Sequence, residues 1–261
     1  MERMNQQHIG AEGQLLICTP LIGRNEESVT AELATILPKK PDVIEWRADS
    51  FEDVADTAKV IRMARTIKGL AEGRPIIFTL RSEREGGRPI TLSDGEVIEL
   101  RAAVCRETDV EYVDCELSHS AADIMYLSEV AKRSATKIIG SYHNFECTPG
   151  NDFLLEKFAE IETRGLDIAK IAVMPQSLDD VLRLLSVTLA AKGRLKVPLI
   201  SIAMGEYGVI TRIVSGLFGS SLTFAAGQGS SAPGQLPIDD LQNMLALMQQ
   251  STGIHFGNRW I

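Results

Sequence analysis

"DIAKIAV", Asp167 to Val173, is an apolar run of strand length with one lysine, Lys170, at its centre. Its apolar composition on both faces reads as a strand buried in a parallel sheet. The preceding run of this kind, "KIIGSYH" from Lys137, ends on His143, 27 residues before Lys170. Six more candidate strands share the pattern: "LLICT" (Leu15 to Thr19), "VIEWR" (Val43 to Arg47), "IIFTL" (Ile76 to Leu80), "EYVDCEL" (Glu111 to Leu117), "VPLISIAM" (Val197 to Met204) and "SLTFA" (Ser221 to Ala225).

Helical periodicity fills the gaps, at Asp53 to Ile67, Asp94 to Glu107, Ala122 to Arg133, Asn151 to Thr163, Ser177 to Ala191 and Ile238 to Gln250. Ser93, Asn151 and Ser177 are expected to cap three of these, each followed by an acidic first turn. Gly193 is the expected stop of the helix from Ser177. Strands alternating with helices at roughly thirty residues per unit predict an α/β protein, a (β/α)8 TIM barrel. With no Pro/Gly/Ser-rich linker to split the chain, residues 1–261 are expected to form a single catalytic domain. A doubly wound open sheet is the competing architecture, but no G-x-G-x-x-G follows an early strand.

Composition narrows the function. The chain has 261 residues, 44% hydrophobic and 24% charged, with a formal net charge of -8. That acidity argues against a nucleic-acid binder and leaves a small molecule as the expected partner. The first residues, "MERMNQQHIGAEGQ", contain no apolar export core, which predicts a cytoplasmic protein. The uncharged stretch from Ile213 to Ile238 carries too much Gly, Ser, Gln and Pro for a membrane span. Cys18, Cys105, Cys115 and Cys147 show no metal-site spacing and are expected to be buried free thiols.

Chemistry-bearing residues cluster at the ends of the strands. Glu45 and Arg47 alternate on one strand face with Trp46 on the other, Arg81 follows the third strand and Glu116 ends the fourth. His143 ends the fifth, Lys170 lies within the sixth and Met204 ends the seventh. Each has a bland explanation: Glu45 could neutralise Arg47 or Arg81 as an internal ion pair, and a strand histidine could simply pack. The lysine is harder to dismiss, because lysine is rarely buried unless paired.

Adjacent parallel strands lie roughly 4.8 Å apart, so His143 and Lys170 should emerge side by side at the barrel mouth. A free lysine has a pKa of about 10.4. Apolar neighbours and arginines across the cavity are expected to lower that value and release a nucleophilic amine. Attack on a ketone would give a protonated Schiff base, and His143 could then remove a proton from the adjacent carbon and return it to a leaving hydroxyl. A Schiff-base lyase or an aldolase acting on an anionic carbonyl compound fits these residues.

Seven ordered motifs narrow the choice: "EWRAD" (Glu45 to Asp49), "FTLRSEREGG" (Phe78 to Gly87), "GSYHNF" (Gly140 to Phe145), "DIAKIAVMP" (Asp167 to Pro175), "MGEYGVITRI" (Met204 to Ile213), "FGSSLTFA" (Phe218 to Ala225) and "SAPGQL" (Ser231 to Leu236). Together they resemble type I 3-dehydroquinate dehydratases over nearly the whole chain. The resemblance implies a TIM barrel that dehydrates 3-dehydroquinate to 3-dehydroshikimate through a lysine imine, as a homodimer, without metal or organic cofactor. It implies that Lys170 forms the imine, His143 moves the proton and Glu85 supports the histidine. Arg212 would clamp the substrate carboxylate. Glu45, Arg47, Arg81, Met204 and Phe224 would complete the substrate pocket, and Ser231 and Gln235 would contact substrate from a closing loop. Gly227, Gly229 and Gly234 would make that loop mobile. Two positions depart from the family pattern: Thr211 precedes the clamp arginine in place of serine, and Pro20 supplies no hydroxyl after the first strand. The resemblance also implies an N-terminal β-hairpin, within Met1 to Gly13, that closes the barrel bottom.

Two other readings share some of these features. A class I aldolase or transaldolase also uses a barrel lysine, with "GQGSSAPG" (Gly227 to Gly234) as a phosphate nest, but the arginine of "VITR" favours a carboxylate. A catalytically dead barrel serving as a binding domain is opposed by the presence of Lys170, His143 and Glu85 together.

Overall fold

The computed structural model describes residues 8–11 and 15–252. Among them, eight parallel strands run β1 Leu16–Leu21, β2 Val43–Arg47, β3 Ile76–Thr79, β4 Tyr112–Glu116, β5 Lys137–Asn144, β6 Ile168–Val173, β7 Leu199–Ala203 and β8 Leu222–Phe224. The α-helices that follow them are α1 Glu26–Ile36, α2 Thr57–Leu70, α3 Asp94–Glu107, α4 Ala121–Arg133, α5 Asn151–Thr163, α6 Leu178–Lys192, α7 Gly205–Val214 and α8 Ile238–Thr252. The strands pair in the order β7-β6-β5-β4-β3-β2-β1-β8, consecutive strands being neighbours except that β8 pairs with β1. A parallel bridge from Leu199 to Ser220 brings β7 against the entry to β8. The ring is a TIM barrel; an open doubly wound sheet would reverse its strand order midway.

Alternation along each strand builds two apolar layers. Outward residues such as Trp46, Phe78, Val113 and Ile171 pack under the helices. Trp46 meets Phe51 and Phe78 edge to face at 5.7 and 5.5 Å. Inward residues near the strand starts, including Leu16, Val43, Ile77, Tyr112, Ile139 and Ile168, fill the barrel floor. Ile9 joins that floor and its amide donates to the Tyr112 hydroxyl at 3.1 Å. The hairpin expected within Met1 to Gly13 otherwise lies outside the described residues. Further along the strands the inward positions turn charged, which places polar chemistry at the C-terminal mouth.

Ser93 forms the expected capping box with Glu96, and the Ser177 hydroxyl accepts from the Asp180 amide. The cap of α5 is Gly150 instead of Asn151, because the extended residue that precedes the first helical turn falls on Gly150 after Pro149. Two helices lack a counterpart among the expected stretches. In α1, Ser28 replaces the usual Glu or Gln of a capping box with Asn25. In α7, ten residues start directly from β7 on a left-handed glycine, Gly205 with φ 69°. Cys18, Cys105 and Cys115 are buried free thiols, whereas Cys147 is exposed in the loop between β5 and α5. Among the described residues no helix is long and apolar enough to cross a membrane.

Candidate active site

A cleft of about 440 Å³ opens at the mouth of the barrel. The eleven residues that the resemblance assigns to the site all line it: Lys170, His143, Glu85, Glu45, Arg47, Arg81, Arg212, Met204, Phe224, Ser231 and Gln235; Glu116 lines the neighbouring pocket instead. The β5–β6 register pairs Lys170 with Ser141 and His143 with Ala172, so the imidazole stands one inward position above the lysine.

The surroundings of Lys170 differ from the expected apolar collar. Strand alternation turns Ala169 and Ile171 outward; Ile168 and Ala172 stay inward with Ile200 of β7, but the groups that meet the amine itself are carboxylates. The Nζ lies 3.1 Å from Asp114 Oδ2 and 3.6 Å from Glu45 Oε1, with the Phe224 ring centroid at 5.0 Å. A hydroxyl from the next strand steadies each acid: Ser141 donates to Asp114 at 2.6 Å and Thr79 to Glu45 at 3.0 Å.

The sequence reading did not pick out Asp114. The only signal for it was its place two residues before Glu116, which puts both acids on one strand face. The ion pairs are also not those of the bland alternative, in which Glu45 neutralises Arg47 or Arg81. Arg47 forks onto Asp49, with two contacts of 2.9 Å, rather than onto Glu45. Arg81 spans Asp114 at 2.8 Å and Glu116 at 2.9 Å. The stagger of the strands decides this: Arg47 lies level with Thr79 on β3, past the height of Glu45. Asp49 also accepts from the backbone amides of Arg81 and Arg88, fixing the turn that carries Glu85. Burial disfavours the Asp114 anion, but Arg81 and Lys170 outweigh it and hold the carboxyl well below the usual range.

Glu85 and His143 form a couple, with Oε2 2.8 Å from the ring Nδ1 and 3.0 Å from the His143 backbone nitrogen, whose N–H it accepts. Burial, reinforced by the positive charges of Arg81 and Lys170, drives the His143 pKa well below its ordinary value. That direction favours the neutral ring. Burial also pushes the Glu85 carboxyl up, to about 8, against the pull of Arg81. When Glu85 is ionised it accepts Nδ1–H and leaves Nε2 with a free lone pair facing the cleft; a protonated Glu85 favours the opposite tautomer.

Arg212 stands apart from the other cations. It is 2% exposed, and among the described residues no carboxylate lies within 4 Å of it. Its Nε has no hydrogen-bond partner, and one terminal nitrogen donates to the Pro233 carbonyl at 3.2 Å. Burial alone lowers its pKa to about 10. Thr211, the departure noted before it, accepts from the Ala203 amide at 3.2 Å and donates to the Gly208 carbonyl at 2.7 Å. That hydroxyl ties α7 to the end of β7 and so sets the height of Arg212.

The loop after β8 lies across the cleft. Arg47 reaches the Ser231 carbonyl at 3.5 Å, and Gln235 exchanges hydrogen bonds with Ser231, at 2.9 Å to its amide and 3.1 Å to its hydroxyl. The glycines have more specific uses than general mobility. A Cβ at Gly227 would meet Ile36 at 2.5 Å and Thr19 at 2.7 Å, while Gly234 has φ 76° and stands against the Gly205 carbonyl.

The family model for type I 3-dehydroquinase matches residues 17–252. A 3-dehydroquinate dehydratase of Albidiferax ferrireducens is 47% identical over 93% of this chain and 92% of its own length. The crystal structure of 3-dehydroquinate dehydratase from Geobacillus kaustophilus superposes with a TM-score of 0.91 at 42% identity, covering 94% of both chains. A type I enzyme from Clostridium difficile, solved with covalently modified comenic acid, gives a TM-score of 0.88 at 33% identity over 92% of this chain and 94% of its own. The chain belongs to the type I 3-dehydroquinase family.

Proposed function

We propose that the cleft binds 3-dehydroquinate, captures its C3 ketone as an imine of Lys170, and eliminates water in the syn sense to give 3-dehydroshikimate, the third step of the shikimate pathway. The observation that carries this reading is an imidazole, held by a carboxyl group at 2.8 Å, one inward position above a buried lysine. A lysine imine withdraws electrons from the carbon next to it, and His143 Nε2 is the base placed to take the C2 proton. The imidazolium so formed protonates the departing C1 hydroxyl, and hydrolysis returns the ketone and the free lysine. Proton removal and return by one residue on one face account for the syn course.

The unpaired fork of Arg212 fits the substrate carboxylate, whose arrival would supply the missing counter-charge in a dry site. Arg47, Arg81 and Glu45 offer polar contacts to ring hydroxyls, Met204 and Phe224 pack against the ring, and Ser231 and Gln235 cover it. The same reading takes the chain as a cytoplasmic homodimeric hydro-lyase that uses neither metal nor organic cofactor.

Borohydride reduction in the presence of 3-dehydroquinate, followed by peptide mass analysis, tests the proposal. The expected adduct is on Lys170, and His143→Ala should still trap it while turnover falls on the order of 1,000-fold. No adduct, or one on another lysine, would overturn the reading.

A further inference from the structure

Imine chemistry depends on the charge at the lysine nitrogen, and the structure surrounds that nitrogen unevenly. Asp114 is fully buried and has its Oδ2 3.1 Å from Lys170 Nζ. Its other oxygen, Oδ1, is held by Ser141 at 2.6 Å, and Arg81 braces Oδ2 at 2.8 Å. Glu45 is more distant, at 3.6 Å. The other titratable or charged groups facing this point are His143 from β5, Arg81 and Glu116 beside Asp114, and the buried Cys18 thiol from β1, which burial keeps protonated.

We infer that Asp114 is the permanent counter-ion of the Lys170 nitrogen and keeps the imine protonated throughout the reaction. This rests on the Lys170 imine proposed above. The stoichiometry of capture explains why a fixed anion suits the position. The ammonium and the ketone combine to a protonated imine and water. A C=N bond replaces the C=O bond, two of the three nitrogen protons leave with the carbonyl oxygen, and the third stays on nitrogen. The nitrogen thus bears one positive charge before and after capture, and an anion preorganised for the ammonium is preorganised for the iminium. The neutral imine would acidify C2 far less. In that form, Asp114 would face a nitrogen without charge and would share only Arg81. When His143 removes the C2 proton, the electron pair of the C–H bond flows to the nitrogen, which becomes a neutral enamine. Expulsion of the hydroxyl, protonated by His143, restores the cation beside the same carboxylate.

Cyanoborohydride reduces a protonated imine and spares a neutral one, so its trapping rate reads the protonation state directly. With saturating 3-dehydroquinate, the unaltered protein should give a Lys170 adduct at a rate nearly independent of pH between about 6 and 9. In Asp114→Asn the rate should fall with rising pH, approaching tenfold per unit, because the imine loses its proton. The variant's kcat should drop on the order of 100-fold with KM changed far less, since the loss falls on the step after capture. Ser141→Ala, which keeps the charge and removes only its brace, should lose a few-fold in rate and retain the flat pH profile.

A flat profile in Asp114→Asn overturns the inference. If that variant does not fold, Glu45→Gln decides: a flat profile there supports Asp114, and a falling one transfers the role to Glu45 and overturns it. Absence of any adduct in the unaltered protein would instead remove the imine itself, so the two failures are distinguishable.

Discussion

Two buried cations share one cleft and are treated in opposite ways. Lys170 has a carboxylate at 3.1 Å and another at 3.6 Å, whereas Arg212 has none within 4 Å among the described residues. A buried cation without a partner is costly, and folding normally avoids it. The contrast teaches that the two do different jobs. Under the proposed mechanism the lysine is bonded to substrate only transiently, so its charge is balanced by the protein itself. On the same proposal the arginine is balanced by the substrate carboxylate, and its deficit serves as a binding site.

Substitutions that remove each charge should separate these roles. Lys170→Met is expected to have the largest effect, a loss of turnover beyond about 10,000-fold with no reducible adduct. It should also lower stability by about 3 kcal/mol in a denaturant titration, because Asp114 loses one of its two cations. Measured stability equal to that of the unaltered protein would break the comparison. Arg212→Met should lower kcat/KM on the order of 100-fold or more, through loss of the carboxylate fork. Its stability should move the other way, rising by about 1 kcal/mol, because an uncompensated buried charge disappears. A destabilised Arg212→Met would mean that the Pro233 contact matters more than the missing anion.

The smallest effect concerns the couple beside Lys170. His143 is already neutral near pH 7, so the acid limb of kcat/KM should come from Glu85. Its pKa is raised, so its carboxyl is protonated below about 8 and ionised above. Because only the ionised form leaves His143 Nε2 free as a base, kcat/KM should rise with pH and level off above about 8. Glu85→Gln should remove that limb and slow turnover about tenfold. Persistence of the limb in this variant would assign it to another group.

Much of the cleft was legible because strand alternation and βα spacing are local properties. "KIIGSYH" and "DIAKIAV" placed His143 and Lys170 on neighbouring strands, and the β5–β6 register does so. Partner choice was not legible. Arg47 selects Asp49 two residues away, and Arg81 selects Asp114 and Glu116, because barrel stagger changes which inward positions share a level. Asp114 went unseen for the same reason: within "EYVDCEL" it is one more strand residue, and only closure of the barrel brings it 3.1 Å from a lysine 56 positions later. Of the apolar residues expected around Lys170, Ile168 and Ala172 share its inward face, while Ala169 and Ile171 point outward because side chains alternate along a strand.

The sequence by itself determined the alternation of strands and helices, the inward parity of the charged residues, and the family. Those follow from periodicity and motif, which are written along the chain. Tertiary structure alone decided which charges are paired and which is left open, because in a closed barrel each inward side chain answers to neighbours on other strands. Lys170 therefore ends between two carboxylates, and Arg212 ends with no carboxylate within 4 Å among the described residues.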